Sequence, residues 1–372
     1  MAKLFEQTQI KDLKLANRFI RSATWEGLAG EDGTCNHALI DTMAELAKSN
    51  VGLIITGHAY VSSEGQATVR QLGIDEDGLV EGLSEMTRAV HREGGRIIMQ
   101  LAHGGLRSDP KFTRTKPMGP STGEGLLESP GREMTVEDIQ QVVNAFSQAA
   151  RRAKDADFDG IQIHAAHGYL ISQFLSPAFN RRSDDYGGNI ENRARVLLEV
   201  LHSTRQAVGG SYPIFVKINC QDFLENGLTR EDAIHVGVML DKAGVDAVEV
   251  SGGTILSGTR IPFRREIIFE RDQAYFRQTS RALKAKIKAP VILVGGIRSY
   301  LLAERLLDEG FVDYLSMSRP FIREPWLIAR WQSGDLRKAT CISCNGCLGA
   351  ARSQQGMYCV QDRKIEKFSG YL

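Results

Sequence analysis

Residues Gly160 to Gly188 read GIQIHAAHGYLISQFLSPAFNRRSDDYGG. The stretch opens as a short apolar strand, Ile161 and Ile163 flanking Gln162, and then delivers His164, His167 and Tyr169 in quick succession. Imidazoles grip a carbonyl or phenolate oxygen, and a positioned phenol donates a proton. A strand that ends in these groups reads as catalytic. A histidine pair satisfied by hydrogen bonds in the mouth of the fold is the plainer alternative.

Seven further runs of the same kind surround it. With the strand at 160–164, short apolar segments rich in Ile and Val fall at 19–23, 51–56, 96–101, 213–219, 247–251, 291–294 and 314–317. Such segments fit strands buried on both faces. Between them lie amphipathic helical stretches. Leu39, Met43 and Leu46 share one face, and Val136, Ile139, Val143 and Phe146 share another behind a capping box of Thr135 and Asp138. Thr229 and Asp232 mark a second helix start of that type. The alternation predicts an α/β protein, a single (β/α)8 barrel over residues 1–335 with chemistry on the loops after the strands. An open doubly wound sheet is the competing arrangement. Candidate chemistry follows strands one, three, four, five, seven and eight, and only a closed ring brings those ends to one mouth.

Residues 3–17 read as an N-terminal hairpin that plugs the bottom of the barrel. Two long loops rich in Gly, Ser and Thr, 104–132 and 252–271, read as lids. Residues 336–372 form a cysteine-containing tail expected to pack on the barrel.

The bulk properties exclude several classes of partner. A net charge of +1 without long basic runs argues against nucleic acid and anionic membrane surfaces. No apolar run approaches the roughly 20 residues that span a bilayer, and MAKLFEQTQI lacks a secretory apolar region. The expectation is a cytoplasmic protein acting on a small molecule, as a homo-oligomer.

Four of the six cysteines, Cys341, Cys344, Cys347 and Cys359, crowd into CISCNGC…YC, with spacing Cys-x2-Cys-x2-Cys-x11-Cys. Clustered cysteines in a cytosolic chain point to a metal or cluster before disulfides. The spacing suits a [4Fe–4S] cube, with tetrahedral zinc as the alternative and free thiols as a third possibility. Cys220, alone in its strand, reads as a small buried hydrophobe.

HAAHGYLISQFLSP, followed by NRRSDDYGG and ENRAR, resembles the signature of the old yellow enzyme family of FMN-dependent ene-reductases. The His-x-x-His-x-Tyr form is similar to the branch that holds the bacterial ene-reductases, trimethylamine dehydrogenase and the dienoyl-CoA reductases. The resemblance runs from about Leu4 to about Pro325. It implies an FMN enzyme reduced by NAD(P)H. Hydride would pass to the β-carbon of an activated alkene while His164 and His167 hold the carbonyl oxygen and Tyr169 protonates the α-carbon.

Further implied roles follow the family's segments. Gln100, ending the third strand, would meet the polar edge of the flavin, since a carboxamide both donates and accepts. Lys217, ending the fifth, would sit near flavin N1. The family usually has Arg there, and Lys keeps the charge but loses the planar fork; a plain core ion pair is the other reading. Ser22, Ala23 and Thr24 would run along the flavin, with Ala23 where Pro is usual and Trp25 where some relatives place a tuning cysteine. Gly57 would allow close approach to the ring, and His58 and Tyr60 either line the pocket or pack in the core. Gly295, Gly296, Ser318 and Arg319, after the last two strands, suit the phosphate site common to this fold. Asn180, Arg181, Arg182, Asp184, Asp185 and Tyr186 are expected to be architectural.

In the resembling branch the cysteines hold a cluster that exchanges single electrons with FMN. An amine-type dehydrogenase sending electrons out through that cluster is therefore an alternative function, and a non-catalytic electron-transfer module a third. No dinucleotide-binding glycine fingerprint follows the cysteines, so any electron-transfer partner is expected to be a separate protein.

Overall fold

The computed structural model describes residues 3–353 and 355–363. Of the predicted tail, residues 354 and 364–372 therefore lie outside the described residues.

Two short strands, β1 (Thr8–Ile10) and β2 (Leu13–Leu15), pair antiparallel across a turn in which Lys11 takes a positive φ of 52°. Their inward residues Ile10, Leu13 and Leu15 join Ile20, Leu53, Ile98, Phe215, Ile292 and Tyr314 in one apolar cluster. The hairpin thus closes the lower end of a barrel, as its sequence predicts.

The barrel strands are β3 (Phe19–Arg21), β4 (Leu53–Tyr60) and β5 (Ile97–Ala102). After β6 (Met118–Gly119) and β7 (Arg132–Glu133), which pair with each other inside the first lid loop, the ring resumes. It continues with β8 (Ile161–Ala165), β9 (Ile214–Asn219), β10 (Ala247–Ser251), β11 (Val291–Val294) and β12 (Tyr314–Met317). All neighbours in the ring are parallel, and β12 pairs with β3 to close it. Each predicted strand is present within a few residues. The exception is β4, which runs past position 56 to Tyr60 through a register shift between Ile55 and His58. A bulge of this kind re-aims side chains at a barrel rim, and here it brings His58 into register with Gln100.

Helices cover the ring. In the helix His37–Lys48, Leu39, Met43 and Leu46 are buried; in Val136–Asp155, so are Ile139, Val143 and Phe146. Val136 is 45% exposed, contrary to the expected face. It is the first residue of its helix, before the chain has descended onto the barrel. Both capping boxes form, Thr135 with Asp138 and Thr229 with Asp232. The polar loop after β8 is architectural: Asn180 Nδ2 donates to the carbonyls of Phe174 and Tyr186, and Arg182 pairs with Asp184. Cys220 is buried, and burial pushes its thiol up to about 12.

Candidate active site

The C-terminal ends of the strands surround a cleft of about 260 Å³. His164 reaches it as the penultimate residue of β8, and after Ala166 the chain turns sharply. His167 takes a φ of 63°, a left-handed conformation uncommon for a side chain of its size. Its backbone N–H donates to Asn219 Oδ1 at 3.1 Å, and its Nε2 lies 2.7 Å from Ser251 Oγ. These two bonds from neighbouring strand ends fix the turn. Tyr169 then precedes the short helix Leu170–Leu175.

The turn stacks the three groups. The His164 and His167 rings are 5.1 Å apart, nearly perpendicular, and the Tyr169 ring lies 4.9 Å from His164. His58 completes the set, its Nε2 3.3 Å from the Tyr169 hydroxyl. Burial holds all three histidines toward the neutral form: His58 falls to about 4, and His164 and His167 lie well below the ordinary value, with Lys217 and Arg107 adding to the effect. Burial raises the Tyr169 phenol, and the nearby Arg107 charge opposes that rise. The mouth therefore offers neutral imidazoles as hydrogen-bond partners beside a protonated phenol. His164 Nδ1 is buried with no partner in the protein, a nitrogen free for a substrate oxygen.

Beneath these rings runs a polar layer across the barrel. Gln100 Nε2 donates to Gln162 Oε1 at 2.6 Å, and Gln162 Nε2 donates to Glu249 Oε2 at 2.9 Å. Ser22 Oγ donates to Glu249 Oε1 at 2.8 Å and accepts from Lys217 Nζ at 2.9 Å. Lys217 and Glu249 sit opposite each other on β9 and β10, 3.4 Å apart as an ion pair, both essentially inaccessible to solvent. Lys217 thus has a core partner and also lines the cleft. Ser22, Ala23 and Thr24 line the cleft too, and Thr24 Oγ1 meets Ser318 Oγ at 2.7 Å across the closure of the ring.

On the far side lie Gly296, Ser318 and Arg319. Arg319 Nη1 donates to Arg264 O and Asn345 Oδ1 at 2.7 and 2.6 Å. Arg298, beside them, has buried Nε and Nη2 atoms without partners, as does the Ser316 hydroxyl. Unpaired buried donors converging after the last two barrel strands fit a phosphate group, which accepts several hydrogen bonds at once. Gln100 and Lys217 fit the polar edge of a flavin. The residues present therefore suit FMN.

Two expected residues stand elsewhere. A side chain at Gly57 would meet Glu26 Oε2 at 2.6 Å and the Thr24 carbonyl at 2.9 Å, so Gly57 serves the packing of the first two strand ends and does not line the cleft. Gly295 and Gly296 both abut Tyr275, and of the two Gly296 lines the cleft. Of the two aromatic neighbours, His58 lines the cleft, whereas the Tyr60 hydroxyl donates to Asp32 O. Three side chains of the cleft and its polar layer escaped sequence reasoning. Glu249 carried a signal, a lone carboxylate in an apolar strand, and so did Arg298 directly after the glycine pair. Arg107, in the loop after β5, carried none.

Cys341, Cys344, Cys347 and Cys359 line one small cavity together with Arg319 and Arg323. Burial pushes the Cys347 thiol up to about 11. For Cys344 burial also acts upward, but bonds from the Gly346 N–H and the Gln361 amide outweigh it and leave the thiol lowered. The [4Fe–4S] or zinc site expected at these cysteines finds no support in the structure: among the described residues no group of three His, Cys, Asp or Glu side chains is placed to hold a metal ion. Zinc needs ligands about 2.0–2.3 Å from one point.

A closed parallel barrel with this donor set at its C-terminal rim is that of a flavin oxidoreductase. The family described as NADH:flavin oxidoreductase / NADH oxidase matches residues 3–337, and the chain belongs to it. It is 36% identical over 359 residues to an NADH oxidase of Thermoanaerobacter brockii, covering 93% of this chain and 53% of that protein. The structure of a 2-naphthoyl-CoA reductase with 2-naphthoyl-CoA superimposes with a TM-score of 0.89 at 29% identity, covering 96% of this chain and 56% of the other. An old yellow enzyme homologue from Zymomonas mobilis gives 0.76 at 26% identity, covering 91% and 95%. The chain thus spans about half the length of some of its relatives. No helix among the described residues is long and apolar enough to cross a membrane.

Proposed function

We propose that this chain binds FMN and reduces activated C=C bonds, such as those of α,β-unsaturated carbonyl compounds, at the expense of NAD(P)H. The observation that carries this reading is the stacked His164, His167 and Tyr169 set above the Gln100–Lys217 layer. FMN, when bound, supplies the hydride that reaches the β-carbon. His164 and His167 hold the substrate oxygen and stabilise the charge that develops on it; being neutral, they donate hydrogen bonds without fixing a full positive charge in the ground state. Tyr169 delivers the proton to the α-carbon, and His58, at hydrogen-bond distance, orients its hydroxyl. Lys217, Gln100, Arg298, Ser316 and Arg319 would hold the cofactor. The family membership and the naphthoyl-CoA reductase likeness support a reductase acting on a conjugated acyl compound.

The decisive experiment separates the two half-reactions. In Tyr169→Phe, bleaching of the flavin by NAD(P)H under anaerobic conditions should proceed nearly as in the native enzyme. Reoxidation by an enone should slow by ~10²–10⁴-fold, the usual contribution of a general acid. Equal slowing of both steps would assign Tyr169 to packing and remove the proposal.

A second reading rests on the tail. Cys347, Arg319 and Asn345 line both the large cleft and the cysteine cavity. A [4Fe–4S] cube held by Cys341, Cys344, Cys347 and Cys359 would thus adjoin the flavin site, and single electrons would pass between them to a partner protein. An enzyme run toward amine oxidation would use the same route.

A further inference from the structure

The cleft is lined by five permanent cations, Arg107, Lys217, Arg298, Arg319 and Arg352, and by no aspartate or glutamate. Four of the five have an assignment or an open position. Lys217 is neutralised by Glu249. Arg298 and Arg319 stand together at the phosphate end, and Arg352 is exposed at the rim on the helix Gly346–Arg352. Arg107 remains. It is half-buried in the turn Gly105–Arg107, on the side of the cleft that holds the proton donor. Its stem runs past Gly168, where an added Cβ would lie 3.9 Å from Arg107 Cδ, and its guanidinium sits 5.5 Å from the centre of the Tyr169 ring. Among the described residues its guanidinium has no ion-pair partner and no hydrogen bond, and its one contact is the cation–π approach to the Tyr169 ring.

A half-buried guanidinium with five donors gives up part of its hydration and gains only the face of the Tyr169 ring, which leaves its donors open to a ligand. No carboxylate among the described residues lines the cleft to neutralise it. A negatively charged partner would have to come with a ligand. We propose that Arg107 binds a carboxylate carried by the substrate close to the carbon that Tyr169 protonates, so that the preferred substrates are anionic unsaturated carbonyl compounds. The substrate class rests on the reading of the site as an alkene reductase; the binding role of Arg107 does not.

The same geometry supplies specificity. A planar guanidinium takes a carboxylate through two parallel bonds, which fixes the orientation of the substrate plane as well as its position. An ester or amide of the same shape loses the charge-assisted bonds and leaves the arginine unpaired.

The test uses the FMN-loaded enzyme and two matched pairs. Benzoate and benzamide, neither of which is reduced, are titrated by calorimetry into the oxidised enzyme. Native protein should favour benzoate by roughly ten- to a hundredfold, the range of a hydrogen bond to a charged group. Arg107→Gln should erase that preference, and Arg107→Lys should keep part of it, since lysine offers charge without the fork. Equal affinity for the two ligands in the native enzyme, or a preference that survives Arg107→Gln, overturns the assignment. The second pair, 4-oxopent-2-enoate and its methyl ester, reads turnover. An acid-over-ester ratio in kcat/KM that collapses in Arg107→Gln supports the proposal. If the ester is reduced in a Tyr169-dependent way and the acid gains nothing, this inference fails and the alkene reductase stands. If neither is reduced while the benzoate preference depends on Arg107, the anion site stands and the alkene reductase fails. A matching rise in the NADH dissociation constant of Arg107→Gln, measured in flavin bleaching, would give Arg107 to the phosphates of the hydride donor and overturn the substrate assignment.

Discussion

Glu249→Gln tests the polar layer under the cleft most directly. Glutamine has nearly the same shape, so the change removes a charge and leaves the packing. Glu249 and Lys217 are 3.4 Å apart and buried. At an effective dielectric constant of about 20 their attraction is roughly 5 kcal/mol, and removing one member of a buried pair typically costs about 3–5 kcal/mol because the other charge is stranded. Glutamine can still accept from Gln162 and still face Ser22, so the lower end, about 3 kcal/mol, is the expected loss in urea unfolding of the apoprotein. A second readout has the opposite sign. With Lys217 unbalanced beside the bound flavin, the reduced anion is favoured, and each ~1.4 kcal/mol of that preference raises a two-electron potential by about 30 mV. The variant should thus be less stable yet hold FMN at a more positive potential, whereas Lys217→Met should lower the potential. In the double variant Lys217→Met/Glu249→Gln the stability loss should fall well short of the sum of the single losses. Additivity within about 0.5 kcal/mol, the behaviour of independent sites, would refute the pair as described.

Three further outcomes follow from the site. Arg298→Ala removes two buried unpaired donors together with one bond to the Cys341 carbonyl; the two effects on apoprotein stability at neutral pH oppose each other and should leave it little changed, while FMN dissociates more readily by tenfold or more, measured by fluorescence on release, at ~1.5–3 kcal/mol per charged hydrogen bond. Burial holds His103, like His58, at about 4 against the ordinary 6.5. The unfolded chain therefore takes up protons first: these two groups leave stability untouched above about pH 6.5 and reduce it as pH falls toward 4, by roughly 3 kcal/mol each. His103→Gln should remove about one proton from the uptake that accompanies acid unfolding, and an unchanged uptake would contradict a neutral buried His103. Anaerobically purified protein should carry about four irons and four sulfides per chain, and Cys344→Ser should lose them; one zinc with no iron would refute the cube.

The strands were legible because burial on both faces leaves continuous Ile- and Val-rich runs, and a ring of eight such runs admits few topologies. The one misjudged strand end, at β4, shows the limit. Gly57 reads as a break, yet the chain bulges there and continues to Tyr60, and only the bulge explains how His58 reaches Tyr169. His164, His167, Tyr169, Gln100 and Lys217 stood out because each is a polar group in or just after an apolar strand that does not require it. Glu249 escaped because its meaning depends on register: it is explained by Lys217 directly opposite on the next strand, a pairing no local pattern reveals. Arg107 and Arg298 escaped for a related reason. What sets them apart is guanidinium nitrogens without acceptors in the protein, and that becomes visible only once the loops are placed.

The closure of the ring has a bearing on how the protein is made. Thr24 and Ser318 touch across the junction of β3 and β12, 294 residues apart along the chain. At a synthesis rate of about 5–20 residues per second, the first of these leaves the ribosome roughly 15–60 s before the second. During that interval β3 has no β12 to pair with, and the ring around His164, Lys217 and Gln100 cannot close. Cofactor capture therefore belongs to the final act of biogenesis, after the cleft residues Ser343 and Met357 have also emerged. A translation pause late in the message would prolong the open stage, and flavin supplied during that pause would find no site to enter.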